Sequence, residues 1–203
     1  MSKWDGTAPV GRRGLPTGVS LIEVTVAMAL TALIATMSAP AMAASIDAGR
    51  ARQAAQFLAA QCRSARVDAV STSANAALVF DKVGARWRMQ RCVDGNSNGV
   101  RRADIARGRD VCDSSVDIGE LFSGVSIAVD AALPDPDGGP GTSDPVRFGS
   151  SDLASFTPAG TATAGTVYLR SSGGAQFAVR VAGVTGRTRV LRYEPTRHAW
   201  MEV

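Results

Sequence analysis

Residues 19–44 read VSLIEVTVAMALTALIATMSAPAMAA, and this stretch decides the fold. It holds one charge, Glu23, and one proline, Pro40. As a helix it covers roughly 39 Å, enough to cross the ~30 Å hydrocarbon core of a bilayer. Ahead of it stand Lys3, Arg12 and Arg13 against Asp5, so the positive-inside rule puts residues 1–18 in the cytoplasm and exports the rest. An ordinary signal peptide is the competing reading, with Ala41-Met42-Ala43 as its A-x-A cleavage site. Against it, the apolar run exceeds the usual ~7–15 residues of such a peptide, and Glu23 sits inside it. A charge at mid-bilayer costs on the order of 2.5–3.5 kcal/mol, so the carboxylate needs a partner. A cut between Gly18 and Val19 supplies one: the new α-amino group of Val19, its own or a neighbouring subunit's. In the second case Glu23 is an assembly device.

Downstream, Ser45 to about Ser71 lacks proline and is rich in Ala, Gln and Arg, which favours helix. Ala51, Ala55, Leu58, Cys62, Ala65 and Ala69 recur in alternating steps of four and three, while Arg52, Arg63 and Arg66 fall elsewhere on the wheel. That stripe predicts a packing face, against the chain's own sheet or as a coiled-coil seam; its short span and alanine content favour the sheet. Pro40 should bend the rod rather than end it.

After Ser73 the pattern turns to short β-like runs: 77–80, 86–93, 121–129, 166–170, 176–181, 187–193 and 199–203. Phe177, Val179 and Val181 alternate with Arg180. The expectation is an α+β chain, a long N-terminal helix packed on an antiparallel β-domain. Its divisions are a leader at 1–18, a transmembrane helix at 19–44, a soluble helical half at 45–72 and a β-domain at 73–203. Within the last, residues 132–144, dominated by Pro, Asp and Gly, predict a solvated, mobile loop.

The chain has 203 residues, 45% hydrophobic and 20% charged, which excludes a wholly disordered polymer. Its formal charge of +4 hides an asymmetry. From Asp110 to Asp152 nine carboxylates face only Arg147, whereas from Gly165 to Val203 six arginines face Glu194 and Glu202. Three Cys and one His exclude a dense disulfide scaffold and a zinc cluster. His198 stands alone, and neither G-x-S-x-G nor G-x-x-x-x-G-K-[ST] occurs. We therefore expect no enzyme, catalytic residue, metal or cofactor.

The string Gly18-Val19-Ser20-Leu21-Ile22-Glu23-Val24 resembles the leader and cleavage motif of type IV pilins and pseudopilins. A basic leader ends in Gly, Glu is fifth in the mature chain, and Pro40 lies where these helices usually carry a proline. The departure is Val19, where the family prefers Phe. The runs Phe156-Thr157-Pro158-Ala159-Gly160, Gly165-Thr166-Val167-Tyr168-Leu169 and Val184-Thr185-Gly186-Arg187-Thr188-Arg189-Val190 are similar to the closing segment of the GspH/FimT family. That family comprises minor pseudopilins of type II secretion and minor pilins of type IV pili. The resemblance implies cleavage after Gly18 by a prepilin peptidase, N-methylation of Val19, an inner-membrane anchor with a periplasmic domain, and assembly with other pilin subunits through Glu23 and Pro40. FimT-like proteins also imply DNA as a partner, through Gly186, Arg187 and Arg189. The alternative for these arginines is a solvated face that pairs with the acidic middle segment or with a neighbouring subunit.

Two further constellations stand out. A Cys92–Cys112 disulfide would close the polar segment between them, worth about 3 kcal/mol in the chain-entropy account, and would leave Cys62 a buried thiol; spacing alone leaves other pairings open. Inside that segment Asp94-Gly95-Asn96-Ser97-Asn98-Gly99 imitates the start of an EF-hand loop. Its twelfth position is Ile105 where a carboxylate is needed, and Arg101 and Arg102 bring positive charge, so a metal-free Gly/Asn-rich turn is the favoured reading.

Overall fold

The computed structural model describes residues 18–203, and for residues 37–40 the backbone alone. The expected leader, Gly18 excepted, and the charges of Lys3, Asp5, Arg12 and Arg13 lie outside the described residues. So do the side-chain details of the expected bend at Pro40. The chain divides into two compact units, Met1–Met42 and Ala43–Val203.

The first helix, α1, has the bounds Leu21–Thr72. It begins where the Ser20 carbonyl accepts from the Glu23 and Val24 amides at 3.0 and 3.2 Å. In the first unit its polar side chains turn back on the backbone: the hydroxyls of Thr25, Thr31 and Thr36 donate to carbonyls three or four residues earlier. This satisfies the hydroxyls internally, as an apolar surrounding requires. Val19, Leu21, Ile22, Met28, Leu33 and Ile34 are all exposed.

The second unit begins with the rest of α1, and here the spacing argument holds. Ala51, Ala55, Leu58, Cys62, Ala65 and Ala69 are each 0 or 1% exposed, and Ala54 and Ala59 join them. Eleven strands and two short helices follow: β1 Ala76–Val83, β2 Arg86–Val93, α2 Arg102–Ala106, β3 Val111–Cys112, β4 Val116–Asp117, α3 Ile118–Leu121, β5 Val125–Ile127, β6 Val146–Arg147, β7 Leu153–Phe156, β8 Gly165–Ser171, β9 Gln176–Val181, β10 Thr188–Glu194 and β11 Ala199–Glu202. They form two antiparallel sheets. One runs β3-β2-β1-β7 with β4 also on β2; the other runs β11-β10-β9-β8-β5 with β6 also on β8. The helix stripe and the inner faces of both sheets share one core, in which Leu78, Phe80 and Met89 meet Val167, Leu169, Phe177, Val179 and Val181. The fold is α+β and pilin-like, a long N-terminal helix followed by an antiparallel β-domain.

Each sheet is also covered on its other face. In β1 the side chains alternate: Ala76, Leu78 and Phe80 enter the main core, while Ala77 and Val79 meet Cys92, Val100 and Leu153 under the segment between β2 and β3. On the second sheet the cover is the segment between β5 and β6, which contains residues 132–144. This corrects one expectation. That segment has no strand or helix, but Leu133–Pro136 are half-buried against the sheet rather than solvated. The expected strand at 121–129 also shortens to β5: Leu121 ends α3, which Asp117 caps by accepting from the Gly119 amide at 2.7 Å, and the Val125 amide donates to the Phe122 carbonyl at 3.0 Å in the turn that follows.

Candidate functional site

Four places follow from the sequence. At the N-terminal end, Gly18 and Val19 precede α1, and Glu23 lies in its first turn. All three are exposed, and a Cβ built on Gly18 would meet nothing within 4 Å.

The segment between β2 and β3 is built around carboxylates. Cys92 and Cys112 are register partners and are joined by a disulfide. Asp94 accepts from the Asn96 amide at 3.0 Å, the Gly99 amide at 2.7 Å and the Asn75 side chain at 2.9 Å. Asp110 accepts from the Gly95 and Arg101 amides at 3.2 and 2.9 Å. Asp104 accepts from the Asn98 side chain at 3.1 Å and faces Arg109 at 3.5 Å. All three are buried, at 6, 3 and 4% exposure. Burial raises the Asp94 carboxyl, but the donors from Asn75, Asn96 and Gly99 outweigh it and hold the group below the usual carboxylate range. The Asn98 hydrogen bond, against a smaller opposing effect of burial, does the same for Asp104. These oxygens are spent on N–H groups, and among the described residues no His, Cys, Asp or Glu cluster suited to a metal occurs. The feature is wider than the expected hairpin turn, since α2 interrupts it. Cys62 stays a thiol, and burial pushes it up to about 12.

Gly186 and Arg187 end the β9–β10 connection, and Arg189 lies at the start of β10. Gly186 has φ +60, and a Cβ there would lie 2.6 Å from the Gly160 carbonyl oxygen and 2.8 Å from Arg66 Nε. Arg66 Nε in turn donates to that carbonyl at 3.1 Å. Two of the three glycine-bearing runs quoted from the C-terminal third, those with Gly160 and Gly186, therefore meet on α1, and Gly186 is required there by conformation and space. Arg187 and Arg189 point the same way, and both face Glu202, at 3.5 and 3.8 Å. Arg189 is the register partner of Arg180, which extends the patch. Arg192 lies on the other face, opposite Phe177, and Arg197 belongs to a turn.

The fourth place is where the acidic middle meets this basic sheet. Trp200 Nε1 donates to the Pro134 carbonyl at 2.7 Å, and the Tyr168 hydroxyl donates to Asp135 at 3.1 Å. Arg147 pairs with Asp135, and Arg180 with Asp137. Burial and the Asp135 charge push the Tyr168 hydroxyl up to about 12, so it remains a donor. For Asp135, burial is outweighed by the Asp137 amide, Tyr168 and Arg147, and its carboxyl lies below the ordinary range. Sequence reasoning left both readings of Arg187 and Arg189 open and did not single out Glu202 as their partner or Trp200 as a contact of the loop; charge asymmetry between middle and end was the only signal.

Fold and exposed N-terminal helix thus define a pilin-like protein. No protein-family model matches this chain, and no solved structure does. It is similar to Type II secretion system protein H of Xanthomonas campestris pv. campestris, 39% identical over 80 residues. Those residues are 39% of this chain and 47% of that protein, so the chain matches about half of the relative's length.

Proposed function

We propose that this chain is a minor pseudopilin of a type II secretion system, a structural subunit rather than an enzyme. It is made as a prepilin with residues 1–18 in the cytoplasm and cut between Gly18 and Val19 by a prepilin peptidase. Residues 19–44 anchor it in the inner membrane, and the domain that follows is periplasmic. It then assembles with other pseudopilins through α1, with the Val19 amine and Glu23 setting the register and Pro40 adapting the helix. N-methylation of Val19 completes the maturation.

The observation that carries this reading is the two-part character of α1. Its first residues expose Leu21, Ile22, Leu30, Leu33 and Ile34, while its later residues bury an alanine stripe in a β-domain. A secreted binding protein would have no use for an apolar helix of this kind once exported. The similarity to a type II secretion protein favours secretion over a type IV pilus tip. The DNA-uptake alternative would rest on Arg187 and Arg189, and the Glu202 carboxylate between them works against a polyanion.

Mass spectrometry of the full chain co-expressed with a prepilin peptidase tests the reading. We expect a terminus at N-methylated Val19. A mature protein that starts at Ala44 would make the segment a removed signal peptide and end the proposal.

A further inference from the structure

The outer face of the six-stranded sheet carries more than its own loop uses. Register places Arg180 opposite Arg189, and Leu191 opposite Glu202, so these side chains share one face with Arg187 and Trp200. Part of that face already holds an acidic, proline-containing peptide, the chain's own Pro134-Asp135-Pro136-Asp137. Its contacts are a carbonyl on the Trp200 indole and carboxylates on Arg147 and Arg180. Beyond Asp137 the pattern is left incomplete. Besides Asp137 of the loop itself, Pro136, Arg180, Arg187, Arg189, Leu191 and Trp200 line a groove continuous with the loop. Among the described residues Arg187 and Arg189 share a single carboxylate, Glu202, at distances longer than good charged hydrogen bonds. Their side chains are 62 and 48% exposed. Each guanidinium offers five donors, so most of this capacity is unspent.

We propose that this groove docks an acidic polypeptide segment of a neighbouring subunit, with Arg187 and Arg189 as anchors. The inference rests on the assembly reading above. The chemistry favours a peptide over a nucleic acid. The Leu191, Pro136 and Trp200 walls suit a chain with uncharged stretches between its acids. Glu202 opposes any anion here, and opposes a phosphodiester run, charged at every nucleotide, more than a peptide whose acids are spaced apart.

The test uses residues 43–203, which contain the whole core described above, and a labelled, end-capped peptide of residues 130–144 followed by fluorescence anisotropy. Saturable binding at low salt that weakens as salt rises is expected. Arg187→Ala/Arg189→Ala should weaken it at least ~10-fold, and Glu202→Gln should tighten it roughly threefold, because it removes the internal competitor. A peptide with its Asp residues replaced by Asn should fail to bind. No binding at low salt, affinity indifferent to the arginines, or displacement of the peptide by a duplex oligonucleotide that binds more tightly would each overturn the proposal. Should the double variant fail to fold, Glu202→Gln and the Asn peptide still decide the matter. The terminus at Val19 is measured separately, so failure of the groove and failure of the pseudopilin reading are distinguishable.

Discussion

Gly186→Ala should be far more damaging than a glycine replacement of the same backbone type elsewhere, and Gly84 provides the comparison. Both have φ near +60, where an alanine costs about 1–2 kcal/mol. At Gly84 that is the whole penalty, because a Cβ would meet nothing within 4 Å. At Gly186 the Cβ would stand 2.6 Å from the Gly160 carbonyl oxygen. The Arg66 side chain can swing aside, but a backbone carbonyl can yield only by moving its turn, and such overpacking adds about 1–3 kcal/mol. Thermal unfolding of residues 43–203 should therefore show a melting temperature lower in Gly186→Ala than in Gly84→Ala by roughly 2–12 °C. Equal losses would mean that Gly186 serves flexibility alone and that the contact with α1 is dispensable.

Replacing both Cys92 and Cys112 by Ser should cost about 3 kcal/mol, read as a lowered urea midpoint; an unchanged midpoint would show that the carboxylate network closes the segment unaided. Leu58→Ala, at a fully buried position between helix and sheets, should cost about 2–5 kcal/mol in the same assay. Cys62 should resist iodoacetamide in the native protein and react once in urea without reductant, and rapid native labelling would contradict its burial. Asp94 and Asp104 have folded pKa values below their unfolded ones, so the stability they contribute is present above the unfolded carboxylate value of ~4 and is lost as pH falls through the folded values. Protection of the Gly99 amide, taken relative to its intrinsic exchange rate at each pH, should fall over that acid window, and a flat protection profile would remove Asp94 from the account.

How much of this was legible beforehand varied with the kind of interaction. The alanine stripe was readable because helical period and burial are the same signal, and β2 and β9 appeared at their true bounds because alternation reports a covered face. Two-residue strands such as β3, β4 and β6 carry no period of their own; partners distant in sequence hold them. Composition described the 132–144 segment correctly as turn-forming and missed its docking, since Trp200 and Tyr168, which fix it, stand 66 and 33 residues from their partners. The proximity of Glu202 to Arg187 and Arg189 likewise depended on the pairing of β11 with β10, which no local pattern in the chain states.

The alanine stripe also inverts the usual tolerance of a core. Most buried faces suffer when a side chain is cut back, but seven of the eight fully covered positions on α1 are Ala or Cys and have almost nothing to lose. They suffer from growth instead: at Ala54, Ala55 or Ala65 a valine or leucine must find room in an interior packed as densely as a crystal. Drift along this helix should therefore be one-sided. Small residues exchange freely among themselves, larger ones are barred, and the rod's covered face stays chemically plain while the loops that back the sheets diversify.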